Sequence, residues 1–402
     1  MLSLSMIVRN EEARLEACLK SVKNFVDEMV VVDTGSTDST VSVAKAAGAR
    51  VEHFAWTGDF APARNSALSL VNGDWVLTMD ADEQLRPEAI PSIRALMAQP
   101  DVLVINLLRH ELGAVMSPYS SVSRLFRRHP CIQWSRPYHS MIDDSVRALR
   151  ASEPHWRIAD CREPALLHDG YRQEVLQSGD KQERLRTAME SWLKENPGDP
   201  YACAKLGGLE ISKGDQKRGL ALLKAGLENL DSKDDSPCER YELLFHLGIA
   251  LAPNDSAGAE QAYRKAINLP LETRITLGAR LNLAALLMKQ SELDEAIALT
   301  KMATQAAPEV SLGWYNLGLM QRRRGDTESA LLAYEKAKQL NPKHPETHQN
   351  DAVARLMGGD LDGARRGFRQ ALKLLNEQGR NQEAEGLLRQ LDGMIKLDHE
   401  GR

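Results

Sequence analysis

Cysteine is scarce in this sequence, and the patterns in which cysteine carries structure are missing. The chain has 402 residues and five cysteines, none of which belongs to a C-x-x-C pair. The sequence therefore predicts neither a zinc cluster nor a disulfide framework. Isolated cysteines are typical of a reducing compartment, so we expect a cytoplasmic protein. They are Cys18, Cys131, Cys161, Cys203 and Cys238.

Long apolar runs and an excess of one charge are missing as well. No stretch approaches the roughly 18 apolar residues that a transmembrane helix needs. The opening MLSLSMIV is followed by RNEE, which is typical of a strand rather than of a signal peptide. The formal net charge is −5, which argues against nucleic acid as the main partner. What is present is 43% hydrophobic residues, over a length that predicts two or three domains.

The first part of the sequence alternates strand-like and helix-like segments. Apolar runs that end in polar residues predict strands, and the segments between them repeat their apolar residues at helical spacing. This order predicts an α/β fold with a mainly parallel sheet, in which ligands bind beyond the carboxyl ends of the strands. The predicted strands are 2–8, 28–33, 50–54 and 74–80, and the predicted helices are 12–22 and 39–48.

Beyond residue 172 the strand pattern stops and a period of 34 residues begins. Its clearest copy, 309–342, contains Trp314, Gly318, Tyr334 and Pro342. When the sequence is shifted by 34 residues, small residues fall at matching positions. This pattern resembles tetratricopeptide repeats, in which small residues let antiparallel helices approach closely. We expect an α/β domain at 1–172, a linking half repeat at 173–197, about five repeats at 198–376 and a polar capping helix at 377–402.

The predicted repeats suggest a role in binding. A solenoid of stacked helix pairs presents a concave groove, and such grooves bind partners. The repeats therefore predict contact with a protein or peptide. The same helices could instead only join two copies of the chain, which leaves a homo-oligomer as the structural alternative.

An acidic residue closes the second predicted strand, within VVVDTGSTDST. Ser36 and Asp38 are explained as part of the turn and as the N-cap of the next helix. A cap does not explain Asp33, whose carboxylate can accept hydrogen bonds from a ribose or from a base N–H. The sequence has no G-x-G-x-x-G and no G-x-x-x-x-G-K-[ST], which excludes the usual dinucleotide and ATP cradles.

A second acidic turn follows the fourth predicted strand, within LTMDADEQL. In an extended turn the side chains of Asp80 and Asp82 point the same way, so we expect their carboxylates to converge. Mg²⁺ or Mn²⁺ would relieve the repulsion, since these ions take one or two carboxylates together with phosphate oxygens. An exposed acidic turn without a metal is the alternative for a D-x-D pattern taken alone.

Four segments, in order, resemble the family 2 glycosyltransferases with the GT-A fold: SMIVRNEEARLEACLKSV, VVVDTGSTDST, DFAPARNSAL and VLTMDADEQL. The helical tail resembles that of the bacterial subset with C-terminal tetratricopeptide repeats, so the resemblance covers nearly the whole chain. It implies an inverting, metal-dependent transferase with a GT-A domain followed by a repeat solenoid. The implied donor is a nucleotide-diphospho sugar, expected to be a UDP-sugar, and the implied acceptor is a peptide, a protein or a glycan.

The resemblance also implies which residues hold the donor and the metal. Asp33 would bind the base or the ribose, Asp80 would face the ribose and the metal, and Asp82 would be the principal metal ligand. His168, in ALLHDGY, would be a further ligand that favours Mn²⁺ over Mg²⁺, and a purely structural histidine is the alternative. An arginine of SRLFRRH would assist at the diphosphate. The implied donor-binding residues are Ile7, Val8, Arg9, Glu11, Asp33, Asp59, Arg64, Asn65, Asp80 and Ala81, and the arginines are Arg124, Arg127 and Arg128.

Inverting transfer also needs a general base, and here the sequence departs from its relatives. They often have His-Glu where this chain has PYHSMIDD, so Ser140 replaces the acid. The candidates for the base are His139, Asp143, Asp144 and Glu83, whereas a thiol acceptor, which ionises near neutral pH, would need less help.

Two other classes of protein are alternatives to a transferase. A repeat scaffold with a degenerate transferase domain would bind partners or nucleotide without turnover, and Ser140 favours it. A nucleotidyltransferase also pairs aspartates with a metal, but it would show a Gly-rich phosphate loop near the N terminus. The segment IVRNEEAR is not such a loop, so the sequence disfavours this class.

Overall fold

The chain forms two compact units, Met1–Ala250 and Leu251–Arg402. The computed structural model describes residues 1–114, 117–136, 140–169, 180–230 and 237–397, with the backbone alone at 180 and 181. In this part of the chain, no helix is long and apolar enough to cross a membrane.

The strands described in the first unit form one mixed sheet. They are β1 (Leu2–Val8), β2 (Glu28–Asp33), β3 (Arg50–His53), β4 (Trp75–Thr78), β5 (Glu83–Leu85), β6 (Val102–Glu111), β7 (Tyr119–Arg127) and β8 (Arg157–His168). Their order across the sheet is β3-β2-β1-β4-β7-β6-β8-β5. β1 to β4 pair in parallel, as the sequence predicts, whereas β7 runs antiparallel to both β4 and β6. β6 and β8 form a further parallel pair. The strand–helix alternation of the sequence therefore accounts for the parallel pairing of β1 to β4 but not for that of β6 and β8.

Helices cover this sheet and continue into the repeat region. In α1 (Leu15–Val22), four residues recur every three or four positions and lie buried in the core of the sheet. The other helices that begin in this unit are α2 (Thr40–Ala46), α3 (Phe60–Leu70), α4 (Ile90–Met97), α5 (Asp143–Ser152), α6 (Asp180–Glu195), α7 (Pro200–Ser212), α8 (Gln216–Asn229) and α9 (Pro237–Leu251).

Strand register brings the acidic loops to one edge of the sheet. Val8 of β1 pairs with Asp33 of β2, and Asp33 pairs in turn with His53 of β3. Because the carboxyl ends of parallel strands share an edge, the loops after β1, β2 and β4 face one another. β5 and β8 pair antiparallel with Glu83 opposite His168, which places His168 beside the turn that follows β4.

The second unit is made of helix pairs with the predicted period. The predicted repeat 309–342 folds as two helices, and Gly318 in the first of them lies against the fully buried ring of Tyr334 in the second. A Cβ atom at Gly318 would collide with that ring, so glycine permits the close approach. The helices are α10 (Ser256–Ile267), α11 (Leu277–Lys289), α12 (Leu293–Ala306), α13 (Ser311–Arg324), α14 (Thr327–Leu340), α15 (Pro345–Met357), α16 (Leu361–Glu377) and α17 (Asn381–Leu391).

Candidate functional site

The loops that follow β1 and β2 hold each other through side chains. Asn10, with a positive φ of 55°, donates its backbone N–H to the Ser36 hydroxyl at 2.9 Å and accepts from the backbone N–H of Thr37 at 2.8 Å. Glu12 accepts from the backbone N–H of Ser39 at 2.9 Å. The RNEE and DTGSTDST motifs are therefore hydrogen-bonded to each other on one side of the site. The sequence does not reveal this contact.

Asp33 organises the turn that follows it. Its carboxylate accepts hydrogen bonds from the backbone N–H groups of Gly35 and Ser36, both at 3.1 Å, and lies 3.3 Å from His53 Nδ1. Burial raises the pKa of Asp33, but the hydrogen bonds from Ser36, Gly35 and His53 outweigh burial and leave the pKa below its usual value. These bonds explain the acid at the strand end, while its role toward a base or ribose stays a prediction.

Asp80 lies between two arginines. One carboxylate oxygen is 2.6 Å from Arg64 Nη2 and the other is 2.7 Å from Arg124 Nη2. Burial raises the pKa of Asp80, but the charges of Arg124 and Arg64 lower it far below its usual range. The side chains of Arg64 and Arg124 are 8% and 13% exposed. Among the described residues, Arg64 Nε and Nη1 and Arg124 Nη1 have no hydrogen-bond partner, so the two guanidinium groups retain donors for an anion.

His168 lies between two carboxylates. Its Nε2 atom is 3.3 Å from Asp82 Oδ2, and its Nδ1 atom is hydrogen-bonded to Glu111 Oε2. Burial lowers the pKa of His168, but the bonds to Asp82 and Glu111 outweigh burial and raise it to about 9. A carboxylate on one ring nitrogen fixes the orientation of the other nitrogen, here toward Asp82.

Glu83 is fully buried beneath this arrangement. One of its oxygens is 2.8 Å from Arg109 Nη1, and the other accepts from the backbone N–H of Asp80 at 2.9 Å. Arg109 Nε also contacts Glu111 Oε1 at 2.9 Å, so one buried guanidinium links both carboxylates. This placement favours a structural role for Glu83 over that of a general base, because neither oxygen faces solvent.

Asp80 and Asp82 have different partners, since Asp80 lies between Arg64 and Arg124 whereas Asp82 faces His168, and their convergence on one cation stays a prediction. Residues 81 and 82 form a turn, so the alternation that applies to an extended chain does not apply. In the described part of the chain, no three His, Cys, Asp or Glu side chains form a group that could hold a metal. Asp82 Oδ2 and His168 Nε2 nevertheless fit as a pair, since adjacent ligands of a cation with bonds of about 2.1 Å lie about 3 Å apart. They suit a cation that takes its remaining ligands from phosphate and water.

Two of the base candidates are bonded to side chains other than those around Asp80. Asp143 accepts from the Ser123 hydroxyl at 3.0 Å, and Ser123 precedes Arg124 in β7, so Asp143 lies on the opposite face of the sheet. Asp144 is paired with Arg136, at 3.2 Å. Both placements argue against these aspartates as bases at this site.

The fourth base candidate, His139, lies outside the described residues. Ser140, its neighbour, has a buried hydroxyl that finds no hydrogen-bond partner in the part of the chain that the structure describes. The assignment of His139 as a base therefore stays a prediction from the sequence.

Two further residues of the implied donor site, Asp59 and Asn65, form hydrogen bonds with the backbone of the protein. Asp59 caps α3 by accepting from the backbone N–H of Ala61 at 2.8 Å. Asn65 exchanges two hydrogen bonds with the backbone of Trp134, at 2.9 and 2.8 Å. Their roles as ligands stay predictions. Three further residues lie at the end of β1 or in the turn after β4, where a ligand at this edge would pass, namely Ile7, Val8 and Ala81.

Of the three arginines in SRLFRRH, only Arg124 points to Asp80. Arg127 donates to the backbone carbonyls of Val102 and Gln99, and Arg128 donates to that of Gly73. Arg127 and Arg128 therefore secure the backbone, and the role of Arg124 at a diphosphate stays a prediction.

Sequence reasoning missed Arg109 and Glu111, which support the site from β6. The signal was present, since two charged residues end the apolar run VLVINLLRHE. Charges inside a buried strand are stable only when they are paired. The sequence does not give the partners, because Glu83 and His168 come from two other strands.

Comparisons with known proteins agree on the two parts of the chain. A family model described as Glycosyl transferase family 2 matches residues 3–149, and one described as Tetratricopeptide repeat matches residues 311–344. A TPR repeat-containing protein of Synechococcus elongatus is 40% identical over 393 residues, which cover 98% of this chain and 96% of that protein.

More distant relatives match a smaller share of the chain. An uncharacterized glycosyltransferase of Rickettsia bellii is 32% identical over 154 residues, or 36% of this chain, and the match spans 52% of its length. The glycosyltransferase SunS of Bacillus subtilis is 25% identical over 210 residues, which cover 50% of this chain and 46% of SunS. Among solved structures, that of MamA covers 44% of this chain and 97% of its own, with 21% identity and a TM-score of 0.37.

Proposed function

Because this chain belongs to the family 2 glycosyltransferases that carry C-terminal tetratricopeptide repeats, we propose that it moves a sugar from a nucleotide-diphospho sugar with the help of a divalent cation. The donor proposed is a UDP-sugar, the cation is Mn²⁺ or Mg²⁺, and transfer inverts the sugar. The observation that carries the proposal is the pair Asp82 and His168, oriented by Glu111 at the edge of the sheet where the acidic loops meet.

Asp82 and His168 are the residues that would hold the cation. Asp82 offers a carboxylate oxygen and His168 a ring nitrogen, a mixed donor set that suits Mn²⁺. Glu111 takes the other ring nitrogen, so the histidine is held with Nε2 toward the aspartate. When bound, a divalent cation supplies Lewis-acid stabilisation of the charge that develops on the leaving diphosphate.

Arg64 and Arg124 are the residues that would contact the diphosphate. Each has a buried guanidinium with a donor that lacks a partner in the described part of the chain. Buried unpaired donors are costly, and an anionic ligand beside Asp80 would satisfy them. Asp80 holds both guanidinium planes in place through one oxygen each, which supports a role for Asp80 in orienting the arginines.

The acceptor is the part of the proposal that depends on the repeats. We propose a peptide, protein or glycan acceptor that the solenoid recruits, since helix pairs with a 34-residue period build a groove. His139 is proposed as the base on sequence grounds. A thiol acceptor would reduce the need for a base, because thiols ionise near neutral pH.

A second candidate function is a nucleotide-binding scaffold without turnover. The observation that favours it is the position of the carboxylates near the expected base, since Asp143 and Asp144 are both engaged elsewhere and Ser140 carries no acid. Such a protein would bind nucleotide and cation at the same site but release no product.

A panel of nucleotide-diphospho sugars tests both candidates at once. The full chain is incubated with each donor, with Mn²⁺, with Mg²⁺ or with a chelator, and nucleotide release is measured. We expect cation-dependent release from one class of donor. Binding of nucleotide without any release, across the panel and with peptide acceptors added, would favour the scaffold instead.

A further inference from the structure

Arg14 differs from the other arginines that face the acidic residues of the site in the described part of the chain. Arg64, Arg124 and Arg109 are largely buried, with side chains 8%, 13% and 18% exposed, and each is fixed on Asp80 or Glu83. Arg14 is 39% exposed and stands at the N-cap of α1. It is therefore the guanidinium with room to move.

The contacts of Arg14 join two carboxylates at the mouth of the site. Its Nη2 atom is 2.9 Å from Glu11 Oε2, and its Nη1 atom is 3.8 Å from Asp82 Oδ2. The same oxygen of Asp82 faces His168 Nε2 at 3.3 Å. Arg14 thus supplies positive charge to the carboxylate that is proposed to bind the cation.

The charges around Glu11 show why a counter-ion is needed there. Glu11 is half-buried, and its pKa is raised by burial and by the negative charges of Asp82 and Asp80, against the lowering effect of Arg14. Without Arg14, Glu11 would keep the repulsion from Asp82 and Asp80 and would lose the positive charge that offsets it. With a divalent cation on Asp82, the guanidinium would instead face a like charge.

We propose that Arg14 occupies the place of the cation in the ligand-free site and moves to the diphosphate when cation and nucleotide bind together. The proposal rests on the proposed function of the same site. A guanidinium matches phosphate oxygens with two parallel hydrogen bonds, so the diphosphate offers Arg14 a partner that replaces Asp82. Arg14 thereby weakens binding of the cation when nucleotide is absent and no longer opposes it when nucleotide is bound. This difference couples the binding of cation and nucleotide.

Binding of Mn²⁺ to the full chain, measured by calorimetry with and without UDP, tests this coupling. For Arg14→Gln we expect Mn²⁺ alone to bind at least about five-fold more tightly than to the wild type, the lower end of usual coupling strengths. The gain in Mn²⁺ affinity that UDP brings should shrink by a similar factor, because coupling is reciprocal. Arg14→Lys keeps the charge and should lie close to the wild type for Mn²⁺ alone.

Lys20→Gln is the matched control. It removes one positive charge from the same helix, at a side chain that is 68% exposed and paired with Glu16 rather than with the site. Mn²⁺ binding should not change in this variant.

The outcomes separate this inference from the proposed function. Wild-type binding of Mn²⁺ that Arg14→Gln leaves unchanged, or weakens in the absence of UDP, overturns the role of Arg14 alone. Absence of Mn²⁺ binding in the wild type, even with UDP, overturns the metal site itself and the inference with it. Circular dichroism of each variant identifies a folding defect. If Arg14→Gln does not fold, Arg14→Lys is compared with the wild type instead. Tighter binding of Mn²⁺ to Arg14→Lys, which keeps the positive charge, would contradict the proposal.

Discussion

At the scale of single residues, the acidic turn after β4 separates into three different environments. Asp80 is held by two arginines, Asp82 faces His168, and Glu83 is fully buried on Arg109. Three carboxylates within four positions thus have three sets of partners, each supplied by a distant segment. Of the three, Asp82 is the carboxylate that faces a histidine, which is the pair proposed to hold the cation.

We expect Asp82→Ala to abolish Mn²⁺-dependent nucleotide release, because it removes the carboxylate proposed to bind the cation. Calorimetric Mn²⁺ binding in the presence of UDP should be lost in parallel. Asp101→Ala is a suitable control, since Asp101 is 47% exposed and pairs with Arg157. Turnover that survives in Asp82→Ala would contradict the metal assignment.

We expect Glu111→Gln to weaken Mn²⁺ affinity by roughly 10- to 100-fold, the usual cost of losing a carboxylate that orients a metal-binding histidine. The cause is loss of the fixed orientation of His168, whose Nδ1 atom is bonded to Glu111. Titration of Mn²⁺ into the UDP complex measures it. Wild-type affinity in a folded variant would contradict the role of Glu111 in orienting His168 for the cation.

At the scale of elements, the helix pairs of the repeat region depend on where glycine stands. Gly318 in α13 lies under the ring of Tyr334 in α14, where a Cβ atom would collide with three ring carbons. Gly386 in α17 has no heavy atom within 4 Å of the place where its Cβ atom would be. The two glycines therefore respond in opposite ways to the same substitution.

We expect Gly318→Ala to lower the free energy of unfolding by about 1–3 kcal/mol, the usual cost of overpacking a core. Gly386→Ala should raise it by about 0.5–1 kcal/mol, because alanine has the higher helix propensity and meets no clash. Chemical denaturation of both variants measures the difference. Equal effects of the two substitutions would rule out the close contact between α13 and α14.

At the scale of the whole molecule, the first compact unit extends past the α/β sheet into the repeat region. Arg136, whose side chain is 6% exposed, contacts Asp144 at 3.2 Å, Asp199 at 3.5 Å and Glu239 at 4.0 Å. Asp199 caps α7 and Glu239 lies in α9, so two repeat helices contact the segment that leads to His139 and Ser140.

We expect a fragment of residues 1–250 to fold and to bind UDP as the full chain does, because it is one compact unit. A fragment of residues 1–197 should melt at a lower temperature, since it exposes Arg136 and removes Asp199 and Glu239. Thermal melts and UDP titrations compare the two fragments. Equal stability of both would show that the helices after residue 197 contribute nothing to the first unit.

Local sequence patterns are enough to predict the order of strands and helices and the period of the repeats. Strands at 2–8 and 28–33 and the helix pair within 309–342 are confirmed, because alternation, turn residues and small residues at fixed spacing are local properties of the chain. The same local signals placed Asp33 and Asp80 at strand ends, on the edge where ligands bind in parallel sheets.

The partners of these acids, in contrast, depend on how distant segments of the chain come together in the fold. Asp80 meets Arg124 from 44 positions away, and His168 meets Glu111 from 57 positions away. Such partners follow from strand register and from the crossing of chain segments, which no local pattern encodes. For the same reason the sequence does not show that Asp143 and Asp144, which stand close to the expected base, are bonded to Ser123 and to Arg136.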